Sequence, residues 1–247
     1  MDLGITGRTA LVTGASSGLG LASAQALAAN GVRVAMVARS AKRLEAAEAT
    51  VDGDSVTIPA DLSQPGDIGD MLTASREALG DIDILVANAG GPPPGNFAST
   101  DLGAYPEDLQ LNLLSTVAMC KHLIPPMQER GWGRVVAITS ISVRQPIDQL
   151  ILSNTARAGL TAFLKTTATE VASDGVTVNT VQPGLHATDR LTQLYDDLEV
   201  VASRLPTGVL GDPGDFGRVV AFVCSESARS ITGASIPVDG GAAKGLQ

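Results

Sequence analysis

Seven short β-rich runs mark this chain, most of them apolar on successive residues, and longer stretches of helical character separate most of them. The runs are Thr9–Thr13, Arg33–Ala38, Ser55–Pro59, Ile82–Ala87, Arg134–Thr139, Thr177–Val181 and Ser235–Val238. A strand with one face in water alternates apolar and polar residues, whereas a strand covered by helices on both faces need not. The stretches Leu19–Asn30, Ala41–Thr50, Ile68–Leu79, Pro106–Arg130 and Ile151–Ser173 are long enough to be those helices. In the last of them Leu160, Phe163, Leu164, Thr167 and Val171 recur at helical spacing as one largely apolar stripe. Parallel strands require such crossovers, and the crossovers are right-handed. The pattern predicts an α/β fold with a doubly wound parallel sheet of about seven strands flanked by helices.

One domain accommodates these elements. A chain of 247 residues fits a single α/β unit spanning 1–247, and neither a repeat nor a low-complexity linker divides it. The Gly/Pro-dense stretch Gly90–Asn96 is too short to separate domains. It follows a strand's C-terminal end, where ligands bind in sheets of this kind. The longest excursion between core elements, 188–212, reads as a substrate lid within the domain.

Composition narrows the partners. Apolar residues make up 44% of the chain and aromatic ones only 3%, so the core must be aliphatic. A formal charge of −9 argues against a nucleic-acid surface, which needs a clustered basic footprint. It does not prevent capture of one anionic cofactor, because backbone N–H groups at a helix terminus do that locally. Cys120 and Cys224 lie in apolar segments and read as buried structural thiols. With two cysteines and two histidines, and no ligand spacing, a metal site is not expected. No stretch reaches about 18 apolar residues, and no basic start precedes an apolar run. The expectation is a soluble cytoplasmic protein without a membrane partner.

Thr13-Gly14-Ala15-Ser16-Ser17-Gly18-Leu19-Gly20 follows the first strand and opens a helix. Glycines at these positions allow a tight turn and bring the backbone close to a pyrophosphate resting on the helix N-terminus. The loop therefore predicts nucleotide binding in a Rossmann-type sheet. The second strand ends in Arg39-Ser40. An Asp or Glu there would accept the ribose 2′-hydroxyl of NAD, whereas an Arg fork suits the 2′-phosphate of NADP. NADP is expected in preference to NAD; the other reading of Arg39 is an ordinary exposed side chain.

Taken in order with Asn88-Ala89-Gly90, Asn112, Ser140 and Pro183-Gly184-Leu185-His186-Ala187-Thr188, the loop resembles the short-chain dehydrogenase/reductase family over essentially the whole chain. The resemblance implies that Asp61 and Leu62 after the third strand meet the adenine; Asp61 also suits a helix cap near Ser63. It implies that Asn88, Ala89 and Gly90 border the cofactor, and that Pro183, Gly184 and Thr188 receive the nicotinamide amide. A homotetramer paired through Pro106–Arg130 and Ile151–Ser173 follows from the same likeness, with a dimer second.

Reducing a carbonyl requires a hydride and a proton for the developing alkoxide. The family supplies the proton with a Tyr acid, tuned by a Lys and aided by a Ser on the carbonyl oxygen and an Asn supporting a relay water. Ser140 and Asn112 match the Ser and the Asn. Where the resemblance expects Tyr-x-x-x-Lys, the chain reads Ser153-Asn154-Thr155-Ala156-Arg157, and no Tyr occurs between Tyr105 and Tyr195. A Ser hydroxyl is a far weaker acid than a phenol of pKa about 10, and Arg is a poor proton shuttle. The candidate site is therefore Ser140, Ser153, Arg157 and Asn112, with Arg157 also placed to hold the nicotinamide ribose. His186, Tyr195 and Arg144 are alternative recruits for proton transfer or substrate binding; structural roles in the lid or at the surface are the competing readings. The chemistry stays open among another proton donor, a small carbonyl or alcohol substrate needing less acid, and an NADP-binding protein without turnover.

Overall fold

The computed structural model describes residues 2–245. Seven strands form one parallel sheet: β1 (Thr9–Thr13), β2 (Arg33–Ala38), β3 (Ser55–Pro59), β4 (Ile84–Ala87), β5 (Gly133–Ile138), β6 (Val176–Pro183) and β7 (Ser235–Val238). Their order is β3-β2-β1-β4-β5-β6-β7. The chain winds outward one way from β1 and the other way from β4, so a crevice opens between those two strands at their C-terminal ends.

Apolar residues on successive positions are explained by the two faces. Leu11, Leu85, Val135 and Val178 point to one side, against Met119, Leu123, Met127, Leu160 and Leu164. Ala10, Val12, Ile84, Val86 and Val136 point to the other, against Ala24, Leu27, Phe216 and Val220. The first layer is covered by α3 (Pro65–Leu79), α5 (Ser115–Glu129) and α6 (Ile151–Val171), the second by α1 (Gly18–Ala28) and α9 (Pro213–Val223). The lesser helices are α2 (Ala41–Glu48), α4 (Ala104–Leu109), α7 (Asp189–Leu194) and α8 (Leu198–Ser203). Cys120 and Cys224 belong to these cores, and burial pushes both thiols up to about 12, which leaves them unreactive. Among the described residues no group of His, Cys, Asp and Glu could hold a metal ion, and no helix is long and apolar enough to cross a membrane.

Two departures from the sequence expectation bear on the site. The stretch 106–130 is not one helix: α4 runs into a π-helical turn, Gln110–Leu114, before α5 begins. The wider turn sets Asn112 into the interior beside Arg157. The helix expected to end at Ser173 gives way to a 3-10 turn, Ala172–Asp174, and Gly175 closes it in the left-handed region at φ 74°. A Cβ on Gly175 would lie 2.2 Å from the Gly131 carbonyl oxygen, so only glycine fits.

Candidate active site

A cleft of about 500 Å³ lies along the C-terminal ends of the central strands. One end is built by the loop between β1 and α1. Gly14 and Gly18 have φ of 61° and 56°. A Cβ on Gly20 would stand 2.3 Å from the Gly14 carbonyl oxygen, and one on Gly14 would stand 2.5 Å from the Asn88 side-chain nitrogen. Thr13 fastens this contact: its Oγ1 donates to the Asn88 carbonyl at 2.8 Å and accepts from the Asn88 N–H at 2.9 Å. Ser17 precedes α1 without capping it through its side chain, which leaves the first-turn N–H groups for an anion. Ser16, Ser17, Gly18 and Leu19 line the cleft there.

Arg39 and Ser40 continue the same wall. Ser40 caps α2 by accepting from the Arg43 N–H at 3.3 Å, and the Arg43 guanidinium reaches back to donate to Ser17 Oγ at 3.2 Å. Arg43 thus joins Arg39 at the cleft, although the sequence reading had not singled it out. One helical turn from a capping Ser was the available signal. Asp61 and Leu62 also line the cleft. Asp61 Oδ1 accepts from the N–H and the hydroxyl of Ser63 at 3.0 and 2.8 Å. It shapes the turn ahead of α3, whose N-cap is Gln64.

At the other end Ser140, Ser153 and Arg157 meet the same cleft with Ala89, Gly90, Pro183, Gly184 and Thr188. A Cβ on Gly90 would touch nothing within 4 Å, so that wall is open to a ligand. Thr188 crosses toward the first loop, its methyl 3.5 Å from where a Gly18 Cβ would be. Ser140 Oγ accepts from the Ser142 N–H at 3.0 Å. Ser153 Oγ accepts from Arg157 Nε at 3.2 Å. Among the described residues neither hydroxyl hydrogen has an acceptor, so each is available to a ligand.

Arg157 is buried and reaches in four directions. Besides Ser153 it donates to the carbonyls of Ile138 at 2.8 Å and Ala89 at 3.3 Å, and to Asn112 Oδ1 at 3.1 Å. It therefore ties the ends of β4 and β5 to the π-helical turn. Burial pulls its guanidinium down to about 10, against the opposing pull of the Asp108 carboxylate. Asn112 is buried and does not itself line the cleft; its amide donates to Asp108 Oδ1 at 2.7 Å.

The other recruits divide. His186 lines the cleft but is buried, packed edge-on against Phe216 at 5.1 Å between ring centroids. Burial lowers its pKa below the ordinary imidazole value, so at pH 7 it is neutral. Arg144 is engaged elsewhere, donating to Gln182 Oε1 and the Ser235 carbonyl, each at 2.6 Å. Tyr195 sits at the end of α7, 41% exposed and outside the cleft lining. Arg190, which the sequence reading passed over, lines the cleft and donates to the Pro92 carbonyl at 2.7 Å.

A glycine loop between first strand and first helix, opening on a switch-point crevice, defines a dinucleotide-binding α/β protein. A family model described as enoyl-(acyl carrier protein) reductase matches residues 14–243. The chain is 32% identical over 246 residues to dehydrogenase/reductase SDR family member 4 of Sus scrofa, covering 97% of this chain and 88% of that one. It is 34% identical over 236 residues to the 3-oxoacyl-acyl-carrier-protein reductase of Escherichia coli K12, covering 95% and 97%. Among solved structures, L-sorbose reductase from Gluconobacter frateurii, complexed with NADPH and L-sorbose, superposes with a TM-score of 0.92 at 32% identity, covering 100% of both chains. This chain belongs to the short-chain dehydrogenase/reductase family.

Proposed function

We propose that the protein is an NADP-dependent oxidoreductase that exchanges hydride between the nicotinamide and a small carbonyl or alcohol substrate. Its site is atypical, with Ser153 and Arg157 at the family's Tyr and Lys positions. The observation that carries the reading is the bond from Arg157 Nε to Ser153 Oγ. A hydroxyl whose oxygen already accepts from a cation is a stronger donor through its own hydrogen. Ser140, held by the Ser142 N–H just past the C-terminal end of β5, offers a second hydrogen. Two such donors aimed at one oxygen form an oxyanion hole, and removing a single donor of this kind costs about 10²–10³ in kcat.

The cleft suits NADP because its crowded glycines leave only backbone facing the diphosphate, while Gly90 leaves open space. In this reading Thr13, Gly14, Ser16–Gly20 and the α1 terminus hold the diphosphate, and Arg39, Ser40 and Arg43 hold the 2′-phosphate. Asp61 and Leu62 border the adenine; Asn88, Ala89 and Gly90 form a wall; Pro183, Gly184 and Thr188 hold the nicotinamide amide; and the fifth N–H of Arg157 meets the nicotinamide ribose. The cofactor, when bound, supplies the hydride. The proton that completes the alcohol comes from water, because the buried neutral His186 is a poor acid and Arg157 keeps its protons below about pH 10. The lid is 188–212, and Arg190 on α7 fastens it to the Pro92 loop. A homotetramer is the assembly proposed, read out by light scattering as four times the chain's 25.1 kDa.

The test is single-turnover NADPH oxidation over a panel of small carbonyls, run beside the Ser140→Ala/Ser153→Ala double variant. Turnover of a substrate that falls at least 10³-fold in the double variant supports the site; undiminished turnover removes it. The second reading, cofactor binding without turnover, draws on Arg157 having four of its five N–H groups bound within the protein. Silence across the panel with intact NADPH binding selects it.

A further inference from the structure

Asp108 occupies a position that helical packing would give to an apolar residue. It lies on α4, is 6% exposed, and shares an inward face with Asn112, four residues on. One carboxylate oxygen, Oδ1, accepts from the Asn112 amide at 2.7 Å; the other, Oδ2, is buried and has no hydrogen-bond partner. Burying a carboxylate half-satisfied is costly unless an opposite charge compensates it. The compensating charge is one residue away: Asn112 Oδ1 accepts from Arg157 at 3.1 Å. Arg157 in turn touches no carboxylate directly; its four acceptors are neutral.

We propose that Asp108 is a positioning residue of the active site, the buried counter-charge that fixes the Asn112 amide and, through it, orients the Arg157 guanidinium on Ser153. The proposal rests on the oxidoreductase reading for its consequence, since the oriented Arg157 is what strengthens Ser153 as a donor. An amide alone can turn either way around. A carboxylate on one side and a guanidinium on the other admit one orientation, with the NH₂ group toward Asp108 and the oxygen toward Arg157. Asp108 also acts on Arg157 through space. Its charge opposes the fall in the guanidinium's pKa; burial raises the Asp108 pKa above the ordinary carboxylate value, with the Asn112 bond and the Arg157 charge holding the rise back and Glu107 adding to it.

The test uses Asp108→Asn, which keeps the shape and the Asn112 contact while removing the charge. NADPH binding is followed by fluorescence from pH 7 to 10.5 in the wild type, Asp108→Asn, Arg157→Met and the double variant. Asp108→Asn is expected to weaken NADPH about tenfold at pH 7. The alkaline loss of binding, near pH 10 in the wild type, should come about one unit earlier. In the Arg157→Met background the same substitution should have no further effect on NADPH affinity. An unchanged Kd and alkaline limb, or an equal loss in both backgrounds, overturns the proposal. Should the wild type fail to bind NADPH, the functional reading falls, and cofactor-free melting of the same four proteins judges the pair. Each single change should then lower Tm by several degrees, with the double variant recovering most of the loss. Additive losses overturn it.

Discussion

Arg157 is effective as a tuning charge only while it is protonated, and its burial brings that limit within reach of experiment. With its pKa drawn down to about 10, the cation is fully present below that pH and is lost as pH rises through it. Turnover governed by the Arg157–Ser153 bond should be level from neutrality to about pH 9 and fall around 10. An imidazole acting as acid would instead impose a break at or below its ordinary pKa of about 6.5. Arg157→Lys sharpens the test. A buried ammonium loses its proton more readily than a guanidinium, so the alkaline limb should move down by about one unit or more. With three donors for four acceptors, it also leaves at least one of Ser153, Ile138, Ala89 and Asn112 short of a partner, costing about 1–3 kcal/mol. The pH profile of single-turnover rates and urea unfolding of both proteins check these expectations.

Between elements, close backbone approaches hold the cleft's geometry. Helices α1 and α9 cross where a Cβ on Gly217 would lie 2.2 Å from the Ala22 carbonyl oxygen. Gly217→Ala must push α9 away from α1, the helix that follows the glycine loop. A loss of about 1–3 kcal/mol by overpacking is expected in urea unfolding, with a weaker NADPH complex by fluorescence titration. Helix α7 is held less firmly. Its partly buried Arg190 contributes the bond to Pro92 across the cleft mouth. Arg190→Ala should leave Tm within about two degrees while raising KM several-fold, and should speed proteolysis within 188–212. A cut rate and KM equal to wild type would show that the segment does not close over substrate. The sequence made α1 and its loop legible because glycine spacing reports backbone conformation directly. It did not reveal the π-helical turn or Asp108, because both depend on the partner that α6 brings to them.

For the molecule as a whole, the apolar runs were sufficient to anticipate the sheet. Burial on both faces marks the inner strands, while the edge strands β3 and β7 are only half-buried; four strands kept their expected bounds and the others shifted by one or two residues at an end. Of the candidate site, the sequence made legible which residues gather at the cleft, and only partly what each of them touches. Ser140, Ser153 and Arg157 line one cleft, yet Arg157 proved to be an internal brace; Arg43 was marked only by the capping Ser40 one turn before it, and Arg190 entered from a helix face that no local motif marks. The chain's charge of −9 makes the basic corner of the cleft an exception. Arg39 and Arg43 both line it, and neither is paired with a carboxylate among the described residues. Two exposed cations facing a phosphate act through water, so their contribution should decline with salt over a Debye length of about 10 Å at 0.1 M. NADPH affinity should therefore fall as salt rises from 0.05 to 0.5 M, while NADH affinity changes little. Arg39→Ala/Arg43→Ala should weaken NADPH by about 30–150-fold, as expected for the loss of two charge-assisted contacts of about 1–1.5 kcal/mol each, and leave NADH nearly unaffected. Equal weakening of both cofactors would place these arginines on the shared diphosphate instead, and a salt-independent NADPH complex would remove the 2′-phosphate from this corner.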